Sequence, residues 1–431
     1  MIQTTKKISV SFYTFGCRLN QSETAVIQNS LEEEGYRVVN FEEPADIVVV
    51  NTCTVTENGD ADTRRLVHKI NRINPQSKIA LVGCQAQMQK EKLAAWPNVR
   101  WVVGNAQKMD LGKILKEFAD APTQIIAPTI PRQSFTLPST GIDRLHLRAN
   151  LKIQDGCDFF CSFCEIPYAR GRARSRIFTD ILKEAKILAT AGHKEVVLTG
   201  INVGTYADDG KNINDVIDAL EQIEELHRIR ISSIEPTTIP FSLIEKMTKG
   251  SKLCRYLHIP LQSGSNAILK RMQRKYTFEE FSTFVRRVSD TVPQVCIGTD
   301  MIVGFPGETD EDFEASAAAI RELPIDYAHV FSYSKRSMAK SRHLDGALPL
   351  KVIQKRSQIL RDLSQRKRRM FHERAIGTTQ KVLFEEEKAG VWSGWTDNYL
   401  RVHTCSPQNL TNQMYYVQLH SFDEKSVTGT L

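Results

Sequence analysis

The chain has 431 residues and a formal net charge of +7, with 41% hydrophobic and 25% charged residues, a balance that suits a globular chain of two or three domains. No apolar stretch reaches membrane-spanning length, and the N-terminal MIQTTKKISVSFYTF lacks the apolar run of a signal peptide. Six of the nine cysteines fall into two groups with metal-ligand logic, so a reducing cytoplasm is expected and a disulfide framework is not.

Residues 8 to about 120 repeat one pattern. Ile8–Tyr13 reads as a strand that leads to Gly16-Cys17. The apolar run Asp46–Val50 reads as a strand buried on both faces and leads to Cys53, and Lys78–Val82 leads to Gly83-Cys84. Helical segments lie between. One runs from about Asn20 to Glu34, with Asn20 as N-cap, Glu23 three residues on and Gly35 as the stop. Another spans about 57–73 and halts before Pro75. This alternation implies a doubly wound parallel sheet, whose ligands bind at the carboxyl ends of the strands. If the strands are neighbours, Cys17, Cys53 and Cys84 converge on one edge as a three-thiolate site for an iron–sulfur cluster. Three separately buried thiols are the alternative.

Residues 121–142, rich in Pro, Thr and Ser, read as a linker. Strands at Leu151–Ile153, Glu195–Thr199, Ile229–Ser233, Leu257–Ile259, Val295–Val303 and Tyr327–Phe331 then alternate with helices such as Thr179–Ala191, Phe278–Asp290 and Asp310–Arg321, the last capped by Thr309. Six such units suggest an open (β/α)6 barrel with its chemistry at the strand ends. After the first strand come Cys157, Cys161 and Cys164 at CxxxCxxC spacing. Three thiolates hold three irons of a four-iron, four-sulfur cluster and leave the fourth open. Zinc would take four ligands, usually as two close pairs, and no His follows within the next dozen residues. The triplet resembles that of the radical S-adenosylmethionine (SAM) enzymes, in which the open iron chelates SAM and one electron cleaves it to a 5′-deoxyadenosyl radical.

Other strand-end motifs point into the same mouth: Thr199-Gly200-Ile201-Asn202, Pro260-Leu261-Gln262-Ser263-Gly264 and Gly304-Phe305-Pro306-Gly307. Glycines there let backbone approach a nucleoside closely, so Gly200, Asn202, Gln262, Ser263 and Gly304 are candidate SAM contacts, and Phe163 is placed over the cofactor adenine or as a shield for the cluster. Glu235 and Asp300 are candidate substrate contacts, or helix caps. Arg170, Arg172, Arg174 and Arg176 share a face if extended and suit a SAM carboxylate, with Arg174 the chosen candidate, a substrate phosphate, or surface ion pairs.

Lys351 to Ile376 carries nine Lys/Arg against two acids, 9 − 2 = +7, so the remainder is neutral overall. A basic helix over about 351–374 with Arg366, Lys367, Arg368 and Arg369 is the footprint of a nucleic-acid binder, or a solvated face. Short strands follow at Gln380–Phe384, Tyr399–Val402 and Met414–Leu419, a small β-barrel of oligonucleotide-binding type. Trp392 and Trp395 suit base stacking, with one of them expected in the barrel core. Cys254, Cys296 and Cys405 read as core thiols.

Together these pieces resemble the radical SAM methylthiotransferases over nearly the whole chain. The matching marks are Thr14-Phe15-Gly16-Cys17-Arg18-Leu19-Asn20, Asn51-Thr52-Cys53, Gly83-Cys84, the Cys157 triplet, the Arg170 run and Gly304-Phe305-Pro306-Gly307-Glu308; Ser334–Ser341 departs from the more Pro- and Gly-rich segment of the family. The resemblance implies an α/β chain of four parts: a doubly wound methylthiotransferase domain over 1–120, a linker over 121–142, a (β/α)6 radical SAM partial barrel with the basic helix over 143–373, and a TRAM-like RNA-binding barrel over 374–431. It implies two [4Fe-4S] clusters and SAM, with Cys17, Cys53 and Cys84 holding an auxiliary cluster that delivers sulfur. The adenine C2 hydrogen is not acidic, so abstraction by a radical suits it where a base does not. The resemblance is strongest to enzymes that convert N6-threonylcarbamoyladenosine at position 37 of tRNA to its 2-methylthio derivative. Relatives act on isopentenyladenosine in tRNA or on an aspartate of a ribosomal protein. It implies the tRNA anticodon stem-loop as partner, a flavodoxin- or ferredoxin-type electron donor, no membrane, and a monomer in the cytoplasm. A protein substrate, or RNA binding without catalysis, is a reading from another class. The basic helix argues against the first and the SAM-type motifs against the second.

Overall fold

The computed structural model describes residues 7–54, 57–138, 142, 146–248 and 250–431. The first sheet has six strands in the order Arg37–Val38, Ser9–Thr14, Ile47–Thr52, Lys78–Gly83, Val99–Val103, Gln124–Ile126, all paired in parallel. The central strand shows why its sequence is apolar throughout. Ile47 and Val49 pack on one face with Ile27 and Leu31, and Val48 and Val50 pack on the other with Leu66, Val67 and Ile70. Besides the two-residue Arg37–Val38, two strands of this sheet were not anticipated, Val99–Val103 and Gln124–Ile126. The second corrects the linker reading: Gln124-Ile125-Ile126 pairs along Trp101–Val103, and further on Phe135 donates to the Ser175 carbonyl and accepts from the Ile177 amide. Residues 139–141 of that segment lie outside the described residues.

The first helix, Arg18–Glu33, begins two residues earlier than expected, with Cys17 as its N-cap. Asn20 and Glu23 therefore form no capping box. Both point inward instead, because the buried face of this helix meets a second domain, and Ser22 donates to the Asn150 carbonyl there.

That second domain is two three-stranded parallel sheets: Arg148–Lys152, Glu195–Thr199 and Arg228–Ile231, then Tyr256–His258, Cys296–Val303 and Tyr327–Ser332. The Cys254 amide bonds the Ile229 carbonyl (2.8 Å) and closes the seam between them, which gives the six-stranded open barrel. Helices Phe278–Thr291 and Asp310–Glu322 start at capping boxes on Thr277/Glu280 and Thr309/Asp312. The basic helix runs over Leu350–Ala375. It buries Ile353, Arg356 and Leu360, and it ends with Phe371 and Ala375 in the core of a closed five-stranded barrel. Strands Thr379–Lys388, Val391–Thr396, Arg401–Cys405, Val427–Thr430 and Met414–Phe422 form that barrel in this order. Its core includes Tyr256, Cys296 and Tyr327 of the open barrel, so the two share one apolar cluster. Cys254 and Cys296 are buried as expected; Cys405 is exposed on an outer strand position.

Gly304, a candidate cofactor contact, also has a packing role. Its φ is +78°, and a Cβ there would lie 2.5 Å from Ile353 Cγ1 on the basic helix. Gly304→Ala is expected to cost about 1–3 kcal/mol by overpacking, with added backbone strain, and so to lower the midpoint of thermal unfolding; an unchanged midpoint refutes the packing role.

Candidate active site

The Cys157–Cys164 loop leaves the first strand of the open barrel at Gly156, where φ is +73° and a Cβ would meet the Arg172 carbonyl oxygen at 2.0 Å. Backbone amides of Phe159 and Ile166 point at the sulfurs of Cys157 (3.5 Å) and Cys164 (3.4 Å), and Arg274 Nη1 stands 3.1 Å from Cys161 Sγ. Burial raises the Cys157 thiol to about 11 and raises Cys161 and Cys164 as well; the charge of Cys161 pushes both neighbours further. Three thiolates so placed need a bound cation, and loading them releases protons. Among the described residues no three Cys, His, Asp or Glu side chains converge as ligands of a single metal ion must. In a four-iron cluster each thiolate binds its own iron, so a wider trio fits.

The loop is held from behind. Glu235 is ion-paired to Arg274, so it braces the arginine beside Cys161. Glu165, next to Cys164, accepts from Arg336 Nε (3.0 Å), Ser337 Oγ (3.1 Å) and the Met338 amide (2.8 Å). Arg336 also reaches Thr54 and Asp60 (2.9 Å) in the first domain. Here the departing segment Ser334–Ser341 acquires its purpose, since it fastens the cluster loop to the residue after Cys53.

The other three cysteines sit at the ends of three adjacent strands, the condition for their convergence. Cys17 caps the first helix, Cys53 follows Ile47–Thr52, and Cys84 opens the helix Cys84–Met88. A Cβ on Gly16 would lie 2.9 Å from Cys53 Sγ, and Asn105 Nδ2 stands 3.6 Å from Cys84 Sγ. Cys17 is exposed into a cavity but enclosed by protein on its other sides. Burial raises its thiol, Arg170 draws it down, and Cys84 pushes it up.

Between the two trios lies a buried charge network that the sequence did not disclose. Glu23 accepts from Lys108, Lys152 (2.6 Å) and Arg170 (2.9 Å). Asp155 accepts from Lys152 (2.8 Å), Arg170 (2.9 Å) and Arg174 (3.3 Å). Burial alone would raise the Glu23 carboxyl, but Arg170, Lys108 and Lys152 outweigh it and hold the group well below the usual carboxylate range. The arginine run is thereby corrected. Arg170 and Arg174 are committed to Glu23 and Asp155, Arg176 to Asp180 and Glu184, and Arg172 to Asp158 at the surface.

Two cavities adjoin. One, of about 180 Å³, is lined by Phe163, Gln262, Asp300, Ile302 and Tyr333, beside the CxxxCxxC loop. Gln262 holds φ +72° so that its amide and carbonyl bond Asp300 and Ile302 while its side chain faces the cavity. The other, of about 430 Å³, has Cys17 and Arg18 on one wall and Gly200, Ser233, His258 and His329 of the open barrel on another. Arg368, Trp395 and Tyr399 complete it. Asp300 Oδ1 and His258 Nε2, 3.0 Å apart, form the partition between the two.

Several expected contacts lie elsewhere. Gly200 lines the cavity of Cys17, not that of Phe163. Asn202 is buried and accepts from the Glu235 amide and Thr238, and Ser263 bonds Ser316 beneath the mouth. Lys367 donates to the Arg321 and Leu323 carbonyls, capping the end of a neighbouring helix, so it is not a surface cation for RNA. Arg366 and Arg369 are exposed, and Arg368 turns inward over the Tyr327 ring. Trp392 packs in the barrel core and donates to the Ser406 carbonyl; Trp395 stacks on Tyr399 at 4.6 Å between centroids and faces the cavity.

Residues 151–320 match the Radical SAM superfamily, and residues 9–104 match Uncharacterized protein family UPF0004. The chain is 38% identical over 398 residues to the threonylcarbamoyladenosine tRNA methylthiotransferase MtaB of Aquifex aeolicus, covering 92% of this chain and 96% of that protein. It is 35% identical to the protein of the same description from Bacillus subtilis, covering 95% and 93%. It is 32% identical to the tRNA-2-methylthio-N(6)-dimethylallyladenosine synthase of Geobacillus kaustophilus, covering 97% and 81%. Among solved structures it resembles the radical SAM methyltransferase TsrM of Kitasatospora setae, with a TM-score of 0.56 at 15% identity, over 75% of this chain and 73% of that one. That likeness concerns the fold alone.

Removing Glu23 as an acid tests the network. Glu23→Gln leaves buried cations uncompensated and is expected to cost about 3–5 kcal/mol, read as a fall in the urea midpoint. Because the folded carboxyl is held below its ordinary range, this contribution is complete above pH 4.5 and is lost as the pH falls through the folded value. The gap between wild type and variant therefore narrows in acid; a gap that is constant with pH refutes the assignment.

Proposed function

The chain belongs to the radical SAM tRNA methylthiotransferases, and from that premise we propose that it converts N6-threonylcarbamoyladenosine at position 37 of tRNA to its 2-methylthio derivative. SAM and a four-iron cluster are the cofactors of the superfamily. The observation that carries the reading is the larger cavity, where Cys17 of the first domain, strand ends of the open barrel and Trp395 of the closed barrel face one space. A base inserted there would lie against Cys17 of one trio, with the His258–Asp300 pair between it and the cavity beside the other.

Cys157, Cys161 and Cys164 would hold one cluster, and Cys17, Cys53 and Cys84 a second. When bound, the two supply the electron that cleaves SAM and the sulfur that is methylated and transferred. The rest falls to the protein. Phe163, Gln262 and Asp300 line the compartment that suits SAM, against the first trio. The stacked pair Trp395 and Tyr399 offers a flat face to the target base. Exposed Arg366 and Arg369 remain for anticodon stem-loop phosphates. A flavodoxin- or ferredoxin-type donor, a monomeric state and a cytoplasmic site complete the reading. No helix among the described residues is long and apolar enough to cross a membrane.

Nucleoside mass analysis of tRNA from cells with and without the gene is the direct test. The 2-methylthio form of N6-threonylcarbamoyladenosine is expected to vanish on deletion and to return with the wild-type gene, but not with Cys161→Ala or Cys84→Ala. Loss of 2-methylthio-isopentenyladenosine instead would transfer the substrate to the relatives' base. In the purified, anaerobically reconstituted protein, about eight irons per chain are expected, and about half that number in Cys84→Ala. That variant should still produce 5′-deoxyadenosine, whereas Cys161→Ala should not; full iron content in Cys84→Ala would remove the second cluster.

A further inference from the structure

We propose that Arg18 and Arg368 form a carboxylate-binding site in the larger cavity that selects an anionic N6 substituent on the base over an uncharged one; this rests on the substrate reading above. Both residues line the cavity, and among the described residues no Asp or Glu lines it with them. Asp300, behind His258, is engaged by that imidazole. The acids behind the aromatic wall are engaged too, Glu385 by Arg148 at 2.6 Å and Glu195 by Arg230 at 2.6 Å.

Arg18 and Arg368 are therefore unusual among the inward-facing arginines. Arg170, Arg174, Arg176, Arg230, Arg274, Arg336 and Arg356 each hold a carboxylate. Among the described residues, Arg18 has a phenol as its partner, Tyr399 Oη at 3.3 Å, and Arg368 has an aromatic face, its Cζ 4.8 Å from the Tyr327 centroid. Neither contact neutralises the charge, and neither uses more than a fraction of the five N–H donors of a guanidinium. Burial alone would raise the Tyr399 hydroxyl, yet Arg18, Arg148 and Arg230 outweigh it and draw the group below the usual phenol range.

A threonylcarbamoyl group ends in a carboxylate, which a guanidinium pairs bidentately. A dimethylallyl group offers neither charge nor acceptor. It would desolvate both arginines without replacing the water they lose, so the same residues that attract the first substituent reject the second.

The test measures affinity of the reconstituted full-length protein for three anticodon stem-loop RNAs. They differ only at the target base: N6-threonylcarbamoyladenosine, its methyl ester, and N6-dimethylallyladenosine. Wild type is expected to favour the free carboxylate over the ester by on the order of ten- to a hundredfold. In R18Q and R368Q that ratio should fall toward one, while R368K, which keeps the charge, should retain part of it. The phosphates are identical in all three RNAs, so a lost phosphate contact lowers every affinity and leaves the ratio alone. Wild type that binds acid and ester alike, or variants that keep the wild-type ratio, would overturn the site. Turnover of the RNAs by wild type is scored separately. Methylthio product from the dimethylallyl RNA alone would sink the substrate reading, and equal binding would sink the carboxylate site with the substrate reading intact.

Discussion

The arrangement hinges on one carboxylate. Glu23 lies on the first helix of the first domain, and three cations converge on it, Lys108 from its own domain and Lys152 and Arg170 from the open barrel. An acid taken wholly out of water is tolerable only with such company, and the cations are tolerable only with it. With Asp155 there are two acids against Lys108, Lys152, Arg170 and Arg174, so the buried group carries net positive charge. That excess faces Cys17 and Cys84, where thiolates and the sulfides of a cluster would bring negative charge. The seam between the domains is thus also the counter-charge of the site.

A second clasp works from the opposite side. Arg336 joins Glu165 of the CxxxCxxC loop to Asp60 and Thr54 of the first domain. Glu165 immediately follows the last cysteine of one trio, and Thr54 immediately follows the middle cysteine of the other. Their separation is fixed through a single guanidinium, whose planar fork tolerates little play. A reaction in which both sites must act on one substrate carbon, as proposed above, demands that kind of fixed spacing, because a small misplacement of reacting atoms costs orders of magnitude in rate.

Much of this was legible in the sequence where a local rule decides. The continuous apolar strand, the strand-end cysteines, the helix cap at Thr309, and the barrel strands all obey rules that act within a few residues. Reading failed where a residue's partner lies far along the chain. Asn20 and Glu23 have the spacing of a capping box, yet Arg170 donates to Asn20, and Glu23 serves a domain more than a hundred residues away. Gly304 sits in a motif that suits a ligand, and its absent side chain makes room for Ile353. Gln124–Ile126 is a strand only because Val99–Val103 stands ready beside it. The arginine run looked available because counting charges along a chain says nothing of which acids fold against them.

The shared apolar cluster of Tyr256, Cys296 and Tyr327 with Phe371, Val382 and Val402 has a mechanical meaning. A recognition module on a flexible tether samples many orientations and loses that freedom on each capture. Here the closed barrel is welded to the floor of the reaction chamber, and its Trp395 and Tyr399 are fixed parts of the chamber wall. The orientation of that wall is settled during folding, once, and each catalytic cycle inherits it.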